Sequence, residues 1–98
     1  MTCCYPCRIA RARDTWLASF PDVPEARTEG HTYAEAVDLA SDALACALAG
    51  YVEERRELPR PGTPAPGDEL VTVPALAAAK LVLYETMRLT KWIFSTVL

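Results

Sequence analysis

Residues 20–35 read FPDVPEARTEGHTYAE, and this stretch contains a proline-interrupted loop followed by the start of a helix. Pro21 and Pro24 are close together, and because proline has no amide hydrogen to donate, we expect residues 21–24 to form a loop. Thr32 and Glu35 have the spacing of a capping box, in which each side chain binds the other residue's free amide. The stretch therefore predicts a change to helix near Thr32.

Upstream of this stretch, the pattern predicts β-strands. Apolar and polar residues alternate over residues 5–11, which favours a half-buried strand. A polar turn at residues 13–15 separates it from an aromatic-rich second strand over residues 16–20, so the two can form an antiparallel hairpin. Residues 26–29 can supply a short third strand.

Downstream, apolar residues recur every three or four positions as far as about Arg56, which predicts an amphipathic helix. Residues 70–73 are β-prone, and Pro74 can open a second helix over about 75–88. The expected order is β-β-β-α-β with a C-terminal helix, an α+β fold. We divide it into a sheet-and-helix domain (1–58), a Pro/Gly linker without an apolar anchor (59–69), and a returning strand with a C-terminal oligomerisation helix (70–98).

The composition indicates one small globular domain. The chain has 98 residues, 51% of them hydrophobic, with a formal charge of −3. An acidic balance disfavours general nucleic-acid binding. The N-terminus lacks the apolar stretch of a signal peptide, and no run reaches the roughly 18 apolar residues that span a membrane. We therefore expect a cytoplasmic protein that makes no membrane contact.

The cysteines give little reason to expect a metal. Cys4 and Cys7 have a chelating spacing, but residues three apart on a strand point to opposite faces. No second Cys or His pair follows, since His31 is the single histidine. We predict no metal, no cofactor and no cofactor-dependent chemistry.

Two alternatives remain open from the residues alone. A metal-dependent RNase H-like nuclease would need converging carboxylates, whereas the candidates lie in turns, loops or on the polar side of a helix: Asp14, Asp22, Glu25, Glu29 and Asp38. A stand-alone RNA-binding module could use a basic patch with stacking rings: Arg8, Arg11 and Arg13 with Tyr5 and Trp16. The net negative charge disfavours this module, and no residue is predicted to be catalytic.

The order of elements and several motifs resemble the HicB family of antitoxins. The resemblance covers residues 5–88 and combines F-P-D-x-P, T-E-G and the capped helix with a later block. Its residues are Tyr5-Pro6, Trp16 to Ala26, Thr28-Glu29-Gly30 with Thr32, Glu35-Ala36-Val37, Val71 to Leu76, Lys80-Leu81, Leu83-Tyr84-Glu85 and Met87-Arg88.

This resemblance implies a partly degenerate RNase H-like fold without nuclease activity. It implies a partner toxin, HicA, which is a small basic RNA-cleaving protein, and it implies a homodimer or homotetramer joined through the C-terminal part. Many members end in a DNA-binding unit such as a helix-turn-helix. Here only ten residues follow Arg88, so we expect that unit to be truncated or altered and specific operator binding to be absent.

The candidate partner-binding residues lie in or near the proline-stiffened loop. A rigid acidic loop loses little entropy on binding and attracts a basic toxin. We select Trp16, Asp22, Glu25, Glu29 and His31. The second helix is apolar on two sides, and one side is available to another copy of the chain. Its oligomerisation candidates are Leu76, Leu81, Leu83, Tyr84 and Met87.

Overall fold

The computed structural model describes residues 4–97, with side chains as far as Leu89. Within this range the elements follow the predicted order: β1 (Cys4–Ala12), β2 (Thr15–Phe20), β3 (Val23–Gly30), α1 (Tyr33–Glu53), β4 (Glu69–Thr72) and α2 (Ala75–Val97). The strands form one antiparallel sheet in the order β3-β2-β1-β4. The last strand in sequence thus lies beside the first, and the α+β prediction is confirmed.

The core lies between one face of the sheet and α1. Alternation along β1 and β2 buries Tyr5, Cys7, Ala18 and Phe20 on the same side. The helix contributes a stripe with the 3.6-residue period: Ala36, Ala40, Leu44, Leu48 and Tyr51. Val37 and Ala47, which the apolar periodicity of the sequence also places on this stripe, are only half-buried, since Ala36 and Leu48 lie closer to its centre.

The predicted loop at residues 21–24 is wrong in extent. Only Pro21 and Asp22 form the turn, and β3 already begins at Val23. β3 is an edge strand, where the missing amide hydrogen of Pro24 breaks no ladder hydrogen bond. The pairing register shifts between Ser19 and Phe20, so the prolines produce an irregular edge strand.

Both ends of α1 have identifiable caps. Thr32 Oγ1 accepts a hydrogen bond from the Glu35 amide at 3.1 Å, as the capping motif predicts. The helix ends at Glu53, three residues before the predicted Arg56. Arg55 then adopts a left-handed φ of 57°, and the Arg56 amide donates to the Tyr51 carbonyl at 2.9 Å. This is the Schellman arrangement, with arginine at the position that glycine favours.

Helix α2 continues to Val97, nine residues past the predicted end at Arg88. Among the described helices and strands, it packs only against α1. A helix of this length rises about 35 Å, so it extends well beyond the sheet and gives the molecule dimensions of 58 × 23 × 20 Å. No helix in the described range is both long and apolar enough to cross a membrane.

Candidate interaction surface

Glu25, at the start of β3, is held by groups of its own chain. Its Oε1 accepts a hydrogen bond from Tyr51 Oη at 2.9 Å, and its Oε2 lies 3.5 Å from the Arg56 guanidinium. Hydrogen bonds from its own backbone amide and from Tyr51 lower the pKa of this carboxyl. Glu25 is therefore ionised at neutral pH, exposed, and already occupied by a basic side chain.

Asp22 also binds a group of its own chain, and this contact gives the predicted linker a polar anchor. Asp22 Oδ2 accepts a hydrogen bond from the Gly62 amide at 2.8 Å. Tyr5 Oη donates to the Pro59 carbonyl at 2.7 Å, and Leu58 is buried. Residues 54–62 are thus fixed along the body of the protein, and we refer to them as the strap.

Arg56 connects the strap to three elements. Its guanidinium carbon lies 4.1 Å from the centre of the Tyr51 ring, a cation–π contact. Its carbonyl oxygen accepts a hydrogen bond from Tyr84 Oη at 2.9 Å. Burial and the Glu25 carboxylate raise the pKa of Tyr51, so this hydroxyl keeps its proton and remains a donor at neutral pH. The cluster joins β3, α1 and α2, and the sequence motifs did not identify it.

The other three candidates lie elsewhere. Trp16 is half-buried at the start of β2, where its ring meets Tyr33 edge-on at 5.5 Å and Arg11 lies 5.7 Å above it. Glu29 is exposed on β3, and His31 is exposed just before α1. Within the described part of the chain, neither Glu29 nor His31 forms a side-chain hydrogen bond or ion pair. The structure therefore does not bring the five residues together in one patch.

Glu29 belongs to an open surface that sequence analysis missed. The face of the sheet opposite α1 is uncovered in the described chain, and a shallow depression there includes Leu17, Arg27 and Glu29. Leu17 pairs with Glu29 across the strands and is 41% exposed. The alternation of β2, with Ala18 and Phe20 facing the core, was the signal that could have placed Leu17 on this outer face.

The oligomerisation candidates on α2 divide into two sets. Leu76, Leu83 and Met87 are 73%, 59% and 61% exposed and share one stripe of the helix. Leu81 is only 4% exposed and packs into the chain's own core, while Tyr84 is held by Arg56. Leu81 and Tyr84 thus lie on the face of α2 that is turned toward α1 and the strap, whereas Leu76, Leu83 and Met87 face solvent.

The cysteines of the described chain lie in different environments and are not grouped together. Cys7 is fully buried, and burial raises the pKa of its thiol to about 11. Cys4 contacts the Thr72 hydroxyl, Cys46 is exposed on α1, and Cys3 lies outside the described residues. In residues that the structure describes, no three His, Cys, Asp or Glu side chains are grouped so as to hold a metal ion.

Native alkylation should therefore discriminate between thiols. We expect iodoacetamide at mildly alkaline pH to modify the exposed Cys46 and to leave Cys7 unmodified, because only a thiolate reacts and Cys7 stays protonated far above that pH. Peptide mass spectrometry after quenching measures both. In denaturant the two should react alike, and rapid native modification of Cys7 would contradict the burial described here.

The comparisons with known proteins agree with one another. Residues 4–82 match the family model described as HicB_like antitoxin of bacterial toxin-antitoxin system. "Antitoxin HicB 2" of Photorhabdus laumondii subsp. laumondii is 45% identical over 87 residues, which are 89% of this chain and 61% of that protein. "Antitoxin HicB" of Escherichia coli strain K12 is 38% identical over 80 residues, covering 81% and 58% respectively. The chain thus spans about 60% of the length of these two curated relatives.

Proposed function

The chain belongs to the HicB-like antitoxin family, and from that premise we propose that it binds and neutralises a small HicA-like RNA-cleaving toxin by direct protein–protein contact. The observation that carries this proposal is the family match over residues 4–82, which include the whole sheet, α1 and the anchored start of α2. The same membership supports a cytoplasmic location and a partly degenerate RNase H-like architecture for the sheet and α1.

The surface chemistry supports a basic partner. The chain has a net charge of −3, and acidic side chains on β3 and its turn face solvent at least in part. Opposite charge increases the rate of encounter with a basic protein and favours one orientation. Among these residues, Glu29 makes no competing contact with the described chain, but Arg8 and Arg27 line the same depression as Glu29 and Leu17, so the depression as a whole is not acidic. We therefore propose that the toxin contacts the two exposed acids of the edge strand β3, Glu25 and Glu29, and not the depression itself.

In the described part of the chain, two of the three arginines of the RNA-binding alternative already contact other side chains. Arg8 is paired with Asp68 at 3.8 Å, and Arg11 packs over Trp16 instead of projecting freely. We therefore propose that the chain acts as an antitoxin without catalytic activity of its own.

Co-expression tests this proposal. We expect the small basic protein encoded beside this gene to arrest growth when induced alone, and co-expression of this chain to restore growth. The purified chain by itself should leave RNA intact in the presence of Mg²⁺ or Mn²⁺. Arrest that persists despite abundant folded antitoxin would overturn the proposal, and metal-dependent RNA cleavage would favour the nuclease instead.

We also propose that the chain self-associates as a homodimer or homotetramer through the exposed stripe of α2. Replacing Leu83 by glutamate should shift the protein toward monomer, because burying an unpaired carboxylate opposes association. Sedimentation velocity at micromolar concentration measures the shift. Val82→Glu is the matched control, because Val82 is exposed but lies off the stripe formed by Leu76, Leu83 and Met87. A wild-type monomer at this concentration would refute the proposal.

A further inference from the structure

We propose that Arg56 couples the acidic start of β3 to α2, so that a basic partner that takes Glu25 from Arg56 loosens the attachment of α2. This inference rests on the proposed function for the identity of the partner, which is the basic toxin. It requires three properties of the structure: an exchangeable contact at Glu25, a direct connection from Arg56 to α2, and few other contacts that hold α2.

The contact at Glu25 is exchangeable. The Arg56 and Glu25 side chains are 50% and 46% exposed, and the nearest atoms of the pair are 3.5 Å apart. Exposed ion pairs of this kind are weak because water screens both charges. An arginine or lysine of a bound protein can therefore replace Arg56 as the basic partner of Glu25.

Displacement of the Arg56 side chain also affects the attachment of α2. The Arg56 carbonyl accepts the hydrogen bond of Tyr84, so the guanidinium and the anchor of α2 belong to one residue. The preceding Arg55 has a left-handed φ of 57°, a conformation that non-glycine residues adopt at a cost. The guanidinium also donates to Glu54 Oε2 at 3.2 Å and packs on the Tyr51 ring, so a basic partner at Glu25 removes one of three contacts that hold this side chain beside the turn.

The attachment of α2 depends on few contacts. Among the described helices and strands α2 packs only against α1, and its core-facing side chains are Leu81, which is buried, and the half-buried Ala77, Ala78 and Tyr84. The hydrogen bond between Tyr84 and Arg56 joins α2 directly to the strap. The other end of the strap is tied to the same acidic turn, since Asp22 accepts from the Gly62 amide. The strap is therefore held at two points by acids that would face a basic partner: Asp22 binds Gly62, and Glu25 pairs with Arg56.

Hydrogen exchange of α2 in the full chain tests the coupling. We expect Glu25→Gln and Tyr84→Phe each to increase exchange of amides at residues 81–89 about threefold, the effect of losing one exposed polar contact. Glu35→Gln is the matched control: it removes the same charge from an exposed site on α1 that lies outside the proposed toxin contact and has no contact with the strap, and it should leave α2 exchange unchanged. Added toxin should increase α2 exchange in the wild type and produce no further increase in Tyr84→Phe.

The outcomes separate this inference from the proposed function. If toxin binds but α2 exchange does not change, or if Glu35→Gln acts like Glu25→Gln, the coupling is wrong and the antitoxin role stands. If no toxin binds, the proposed function fails, and the free chain still decides the coupling. In that case, faster exchange of the α2 amides in free Glu25→Gln than in the free wild type supports the coupling through Arg56. Unchanged exchange in this variant overturns the coupling.

Discussion

Replacing Phe20 by alanine should remove about half of the free energy of unfolding of this domain. Phe20 is 2% exposed and lies in the core between β2 and α1. Truncating a buried phenylalanine costs about 3–5 kcal/mol, partly as lost apolar transfer and partly as a cavity. A domain of this size has roughly 5–10 kcal/mol of stability, so about half of that margin would be lost.

Urea denaturation followed by circular dichroism measures this loss. Leu17→Ala is the control, since Leu17 is on the same strand but 41% exposed on the outer face. We expect it to cost less than about 1 kcal/mol. Equal losses for the two variants would contradict the assignment of the inner and outer faces of β2.

Replacing Gly30 by alanine should destabilise the protein despite the small size of the change. A Cβ at Gly30 would lie 2.7 Å from the Ala36 nitrogen and 3.0 Å from its Cα. Both are backbone atoms at the start of α1, so the helix would have to move away from the sheet. Overpacking of this kind costs about 1–3 kcal/mol, and more where backbone must shift.

Gly50→Ala provides the control, because it makes the same substitution within α1. A Cβ there meets no atom within 4 Å. Alanine is the better helix former, so this variant should gain about 0.5–1 kcal/mol. The two variants should therefore shift the urea midpoint in opposite directions. A loss at Gly50 as large as the loss at Gly30 would show that helix packing against Gly30 is not the cause.

Local patterns predicted the elements, because their causes lie within a few residues. Alternation identified β1 and β2, and the Thr32 side chain marked the start of α1. Pro24 misled the prediction, since its tolerance in β3 depends on the edge position of that strand, which is a property of the whole sheet. Helix α2 exceeded its predicted length because residues 91–98, KWIFSTVL, are rich in β-branched and aromatic types that favour strands, whereas continuing an existing helix costs less than starting one.

The candidate site was harder to predict because its contacts join residues distant in sequence. Asp22 and Gly62 are 40 positions apart, and Glu25 and Tyr51 are 26 apart, so no local motif indicates that these acids are already bound. The acidic side chains were recognised correctly as surface groups. Which of them is open to a partner depends on the strap, whose path only the tertiary structure shows. Glu29 is the acid on β3 that no described side chain occupies.

The most direct test of the antitoxin account is titration of the purified cognate toxin with this chain, following both association by calorimetry and cleavage of a labelled RNA. We predict a saturable complex at physiological salt, with RNA cleavage falling in proportion to complex formed and reaching zero at the stoichiometric ratio. Glu29→Gln should weaken this complex more than Glu35→Gln, the same exchange on the solvent face of α1. A toxin that cleaves RNA at its full rate in the presence of excess folded chain would contradict the account.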